Sequence, residues 1–373
     1  MIENPGFLFT VLAFLAVLGP LVFIHELGHY LVGRWCGIRA ETFSIGFGRE
    51  VLGWTDKRGT RWKVGWMPLG GYVQFAGDED AVSTPHAVTA SEPEGSFASA
   101  ALWKRSLTVA AGPAANFLLA IIILAGFALA YGRVETPPVA GTVQAGSAAA
   151  AAGIEAGDRI VSIDGRAMQT FVDIPMAVIH RAGEPMQLVI ERQGNISSIT
   201  VTPRLAEETD RFGNRIERGL LGITSGPAAI REVSVMEAPV VGAQQAWAIT
   251  RQMAEVIWQL LTGRRGIEDL GGPLKIADSA GEQASLGILA FVSFAAMISL
   301  NLGFVNLLPL PMLDGGHLMF NAVEAVRRRP VSVATQQIAY RAGFAVLATL
   351  MIVVTFNDLG AFGLWERLAG LIG

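Results

Sequence analysis

The chain has 373 residues, 51% of them hydrophobic and only 16% charged, with a formal net charge of −4. Soluble domains carry about 25% charged residues, so the deficit argues for a membrane protein, and the small negative balance leaves no electrostatic footprint for nucleic acid. Cys36 is the only cysteine, which excludes a disulfide framework and a cysteine-based zinc cage; a small apolar residue near a helix end is its simplest reading.

The first predicted element is a membrane helix over about 7–33. From Phe7 to Tyr30 almost every residue is apolar, which meets the roughly 20 residues that a bilayer span needs. Glu3 and the absence of basic residues ahead of the run argue for a retained span rather than a signal peptide. At its end stands His25-Glu26-Leu27-Gly28-His29. Each ionisable group there would cost roughly 2.5–3.5 kcal/mol facing lipid. Histidines at i and i+4 share a helical face and can reach one metal ion. Glu26 is offset around the helix, free to act on a water rather than on the ion. A chance match or a satisfied core histidine pair is the bland reading, and it is weak inside an apolar span.

The next stretch is expected on the cytoplasmic side, because Arg34 and Arg39 follow the first span and Lys104 and Arg105 precede the second. Residues 43–53 and 62–76 are apolar and Gly-rich, with Gly70-Gly71 as the expected turn. They suit either an ordinary cytoplasmic hairpin or a re-entrant strand pair dipping beside the site, which needs its backbone covered. Residues 77–96 look like an acidic surface loop, with His86 a solvated side chain. The second span covers about 106–131.

Residues 139–204 have a soluble domain's composition, with short strands, a helix near 171–182, and two final strands joined by a Gly194-Asn195 turn. Gly146-Ser147 through Gly153-Ile154, Gly157-Asp158 and Ile163-Asp164-Gly165 resemble a PDZ domain of the bacterial protease-associated kind. That resemblance implies either capture of a peptide C-terminus by strand addition or a ligand-free steric cap. His180, on the flanking helix, reads as structural. Residues 205–230 add a strand or two. Residues 236–262, with Trp247 and Trp258, have helical periodicity and suit a helix on the membrane surface or packed on the PDZ-like domain.

The third span, about 285–308, and the fourth, about 338–356, flank Arg327-Arg328-Arg329, which marks their loop as cytoplasmic. The N-terminus, residues 132–284 and the C-terminus then lie on the opposite side. A zinc site needs at least one more protein ligand. Asp314 is the strongest candidate: two prolines end the third span, Gly315-Gly316 is expected to allow a tight turn, and the aspartate falls at the depth of His25 and His29. An Asp cap of a terminating turn is the bland alternative, and His317 is a competing ligand beyond the glycines.

The motif HELGH, Gly112-Pro113 with Asn116-Phe117, Gly272-Pro273, and the run Asn306 to His317 together resemble the site-2 protease family over nearly the whole chain. A single PDZ-like unit makes the chain similar to the bacterial regulator-of-sigma-E protease branch, whose members often have two such units. The resemblance implies a multi-pass zinc metalloprotease of the bacterial inner membrane, with a periplasmic PDZ-like domain and a site near the cytoplasmic face. It implies regulated intramembrane proteolysis of single-span membrane proteins such as anti-sigma factors or remnant signal peptides. It makes His25, His29 and Asp314 the ligands of one zinc ion and Glu26 the base. Asn306 and, near the site, Asn116 are then expected to be substrate-binding, and so are Gly70 and Gly71 through the hairpin.

The expected fold is thus a polytopic α-helical membrane protein of four spans with an inserted α+β PDZ-like domain. Its parts are 1–34 with HExxH, 35–105 with the membrane-associated hairpin, 106–131, the PDZ-like 137–204, 205–284 with strands and an amphipathic helix, 285–316 with the LDGG motif, the loop 317–337, and 338–373. The expected partners are these substrates, a peptide C-terminus and membrane lipid. Two other classes compete: a non-proteolytic PDZ scaffold with structural zinc, and a metal transporter, since intramembrane His and Asp also mark ion paths.

Overall fold

The computed structural model describes residues 6–77, 94–178, 181–209, 215–263 and 271–361; the expectations for His86 and His180 lie outside them. The chain forms two compact units, one of residues 1–126 and 239–373, the other of residues 127–238.

Helix α1 (Phe7–Trp35) opens the first unit. Phe7, Leu8 and Leu12 stay exposed, as suits a lipid-facing stripe, while Ala13, Val17 and Leu21 are buried. Strands β1 (Ala40–Thr55) and β2 (Arg61–Phe75) follow as a long hairpin. Its turn is at Asp56–Thr60, where Asp56 Oδ1 accepts from the N–H groups of Arg58 and Thr60. Gly70-Gly71 is therefore not the turn: both glycines lie inside β2. Gly46, Gly48 and Gly70 have φ near +85° (83°, 86° and 88°), which only glycine adopts freely. There the strands bend, so that residues 42–45 of β1 lie against both 61–64 and 71–74 of β2. Phe43 is buried on Trp62, with rings stacked at 4.3 Å, and Tyr30 and Trp62 both donate to Asp56 Oδ2. These contacts dock the hairpin on the end of α1, and Cys36 is buried among them as a small apolar residue.

Helix α2 (Leu102–Tyr131) begins four residues earlier than expected and carries Lys104 and Arg105 in its first turn.

The second unit contains β3 (Arg133–Glu135), β4 (Ala140–Val143), α3 (Ala148–Ala151), β5 (Arg159–Ile163), β6 (Arg166–Ala167), α4 (Asp173–Val178), β7 (Met186–Arg192), β8 (Asn195–Val201), β9 (Arg204–Thr209), β10 (Arg215–Leu220), β11 (Ile223–Ser225) and β12 (Ala229–Arg231). A four-stranded sheet runs β6-β5-β7-β8. Ser147 caps α3 by accepting from Ala150 N–H at 3.1 Å. Arg192 pairs with Asn195, so the β7–β8 turn is Gln193-Gly194, one residue earlier than expected; both adopt positive φ, 50° and 82°. Ile160, Ile174, Met186 and Leu188 form a fully buried core. The unit does not end at 204. Strand β11 pairs with β4 and Leu221 enters the core, so the following strands belong to the same body.

Back in the first unit, α5 (Ala238–Leu261) packs against α2: Gly242 meets the Ile121 carbonyl and Ala125, and Ala246 is buried with Ala120, Ala296 and Leu300. Small residues four apart let backbones approach closely. The helix therefore packs within its own unit, with Trp247 and Trp258 exposed. Helix α6 (Pro273–Ser285) was not expected. It packs on α1, Gly281 lying against Thr10, and its first turn is held by the buried Asp358, which accepts from Gly272 and Lys275 N–H at 3.2 Å. Gly287, at φ 110°, separates it from α7 (Ile288–Asn306). Helix α8 (Asp314–Arg327) replaces much of the expected loop 317–337, and α9 (Val333–Ala361) follows. Four of these helices, α1, α2, α7 and α9, are long and apolar enough to cross a membrane, as expected.

Candidate metal centre and active site

The α-helical period brings His25 and His29 to one face of α1, with their Nε2 atoms 3.2 Å apart. Asp314 is the first residue of α8, and its Oδ2 lies 3.1 Å from His25 Nε2 and 3.5 Å from His29 Nε2. The route by which it arrives differs from expectation. Gly315-Gly316 makes no turn; both are helical, and they are glycines because the carbonyls of Leu307, Leu308 and Leu310 fold back where a Cβ would stand. The turning is done ahead of Asp314, where Met312 takes a φ of 87°.

Donor atoms on a tetrahedral zinc with bonds of 2.0–2.1 Å stand about 3.3 Å apart. The observed spacing matches. His29 Nδ1 donates to the Thr108 carbonyl at 2.9 Å, which leaves the Nε2 lone pair facing the other two groups. Asp314 Oδ2 is buried without a hydrogen-bond partner. A carboxylate oxygen orphaned opposite imidazole lone pairs is the environment of a cation, so these residues fit zinc. Among the described residues, His25, His29 and Asp314 are the group of metal-ligating side chains that meets at one point. His317 is not among them: it lies a turn along α8, its ring 3.0 Å from the Tyr340 hydroxyl.

The three open onto a cavity of about 340 Å³ lined also by Glu26, Gly70, Gly71, Asn306 and Met312. Gly71 lets β2 pass close to Glu26; a Cβ there would stand 3.0 Å from the glutamate's Cγ. Asn116 behaves differently from the expected substrate contact. It is fully buried and does not line the cavity; its amide meets the ring of His25 from behind, Nδ2 to Nδ1 at 3.1 Å. Gly112, one turn before it, is where the His29 ring lies against α2, with no room for a Cβ. Sequence reasoning missed Thr108 and Met312. A backbone carbonyl leaves no residue-type signal, and a left-handed methionine has none before the fold is known.

A family model, Peptidase family M50, matches residues 13–350. The chain belongs to peptidase family M50. Two relatives named "Putative zinc metalloprotease", from Agrobacterium fabrum and Rhizobium meliloti, are each 46% identical to this M50 peptidase over 94% of its length and 96% of theirs. Metalloprotease MmpA of Caulobacter vibrioides is 37% identical, covering 98% of this chain and 99% of its own. The M50 peptidase is thus a zinc metalloprotease, and the resemblance to site-2 proteases is borne out. The four long apolar helices among the described residues, with the family, make it a membrane protein. A solved PDZ domain, from the SdrC-like protein of Listeria monocytogenes, aligns with 24% of this chain and 88% of its own at 20% identity and a TM-score of 0.19, too low to assign a fold.

Proposed function

We propose that this M50 peptidase hydrolyses peptide bonds within the transmembrane segments of single-span membrane proteins, in the manner of regulated intramembrane proteolysis, with anti-sigma factors or remnant signal peptides as the substrate class. The observation that carries the reading is the convergence of His25, His29 and Asp314, with Glu26 beside them, in a cavity built by α1, α7 and the apolar hairpin. One zinc ion held by these three side chains supplies Lewis acidity and brings the pKa of water toward neutrality.

The chain's own residues do the rest. Glu26 takes a proton as water adds to the scissile carbonyl, and hands it to the departing amine as the C–N bond breaks. Asn306, at the end of α7 and open to the cavity, holds the substrate backbone through its amide. A substrate helix hides its carbonyls in its own hydrogen bonds and must unwind locally before attack. Gly71, Tyr72 and Val73 of β2 pair on one edge with Ile45, Ser44 and Phe43 of β1, and on the other edge the Val73 N–H is turned toward Glu26. That edge, beside Glu26, receives the unwound segment by strand addition, satisfying polar groups that lipid cannot.

The reading places the protein in the bacterial inner membrane, with the site toward the cytoplasmic side and the second unit in the periplasm. That unit is a PDZ-like module. A cavity of about 520 Å³ between α4 and β11, lined by Ile174, Val178, Leu221 and Ile223, is the place for a peptide C-terminus.

The deciding comparison is Glu26→Gln against wild type. The variant should retain zinc and cleave a membrane-embedded reporter at least about a thousandfold more slowly. Cleavage at the wild-type rate would overturn the reading, and so would purified wild-type protein that binds no zinc.

A further inference from the structure

We propose that Asn116 sets the tautomer of His25, keeping the ring proton on Nδ1 and the Nε2 lone pair toward the metal, as the positioning residue of a wall that α2 builds behind both imidazoles. The inference rests on the assignment of His25, His29 and Asp314 as ligands. Thr108, Gly112 and Asn116 recur at intervals of four along α2 and therefore share one face. The Thr108 carbonyl accepts from His29 Nδ1, the Cα of Gly112 gives the His29 ring its place, and the Asn116 amide meets His25 Nδ1. Each histidine is thus engaged at Nδ1 by the same helix, two turns apart, and only Nε2 of each points to Asp314.

For His29 the partner is a carbonyl, which only accepts, so the ring proton is fixed on Nδ1. For His25 the partner is an amide with two unlike ends. With the amide nitrogen toward the ring, Nδ1 must accept and the proton moves to Nε2, where it blocks coordination. The same orientation leaves Asn116 Oδ1 fully buried without a hydrogen-bond partner. The two ends of an amide occupy nearly the same volume, so a half-turn costs no space. Turned, Oδ1 accepts Nδ1–H, the orphaned oxygen gains its donor, and Nε2 presents its lone pair. Helix α7 holds Asn116 in place by its backbone, Ser299 Oγ donating to its carbonyl at 2.9 Å, and the residue is wholly shielded from the cavity. An outer partner that fixes a ligand's tautomer is worth about tenfold to a hundredfold in metal affinity.

The test is zinc affinity of the full chain in detergent, measured by competition with a chromogenic chelator, together with the ¹⁵N shifts of His25 in the zinc-loaded wild type. Asn116→Leu, which keeps the volume and removes the acceptor, should bind zinc about ten to a hundred times more weakly. Asn116→Asp, which keeps an acceptor, should stay within a few-fold of wild type. The wild-type spectrum should show the proton on His25 Nδ1. Wild-type affinity in Asn116→Leu, equal damage in both variants, or a proton on Nε2 would each overturn the proposal. The spectrum decides it if the leucine variant fails to fold. His25→Ala is the control for the ligand assignment: if it binds zinc normally, that assignment fails, whereas loss there with full affinity in Asn116→Leu sinks the positioning role alone.

Discussion

Individual side chains in this protein work through close approach more than through reach. Gly112 shows it: any Cβ at that position would run into the His29 ring. Gly112→Ala should therefore leave the helices formed, since alanine favours helix, while pushing the imidazole off its bearing. Zinc affinity should fall by about tenfold or more, read by chelator competition beside a circular dichroism spectrum that keeps its helical signal. Wild-type affinity would mean the ring has slack that this packing does not show. His25, Glu26 and His29 were legible in the sequence because their spacing is itself the geometry: a helix converts i and i+4 into a shared face. Asp314 was legible only by its company, and a tight turn at the double glycine is not what delivers it. Those glycines are there so that the chain from Leu307 to Leu310 can fold against the start of α8, a tertiary demand with no local pattern. Asn116 lies behind the ligands, outside the cavity's lining, for a similar reason, since a motif tells that a residue is near a site and not which way it faces.

Secondary elements were legible where lipid dictates them. The spans α1, α2, α7 and α9 announce themselves by length and apolarity. Helix α6 does not, because Lys275, Asp278 and Glu282 interrupt it and its contact face is the small-residue pair Ala280-Gly281. The hairpin is visible as two apolar runs, but its bends at Gly46, Gly48 and Gly70 come from positive φ, which glycine permits without advertising. Those bends set up the next expected outcome. Val73 lies in the stretch beside Glu26, facing Phe43 across the ladder, whereas Val64 is enclosed between Ile45 and Leu52. Val73→Pro removes the N–H that this stretch turns toward Glu26. Cleavage of a membrane-embedded reporter should drop by about tenfold or more with zinc content unchanged, the loss of roughly one or two backbone hydrogen bonds in the transition state. Unchanged turnover would remove strand addition from the mechanism. Val64→Pro breaks the inner ladder instead and should cost the hairpin its fold.

At the scale of the molecule, the candidate metal centre and the second unit's groove belong to different units. The metal centre lies wholly within residues 1–126 and 239–373, and the apolar groove wholly within 127–238. The inserted unit was legible as a soluble α+β module from its turn residues, but its end was not, because β11 returns to pair with β4 after the intervening β9–β10 hairpin. Thr142 is exposed at the groove's rim. Thr142→Arg should lower cleavage of substrates whose soluble end docks there and leave a short reporter without that end at the wild-type rate; equal loss on both would tie the groove to catalysis. The unit's stability should also depend on acid in a defined direction. Asp158 is buried, and Arg192 donates to both its oxygens at 2.7 Å while Glu155 N–H donates at 2.8 Å. The guanidinium holds this carboxyl below its ordinary value. A carboxylate depressed in the folded state contributes stability that is complete above its unfolded pKa of about 3.9 and is lost as pH falls through the folded value. Pepsin cleavage within residues 127–238, followed from about pH 5 down to pH 2, should therefore accelerate steeply below about pH 4. In Asp158→Asn the starting stability should be lower but the acid dependence shallower, because no charge is left there to neutralise. An equally steep acid response in that variant would assign the effect to other carboxylates of the unit.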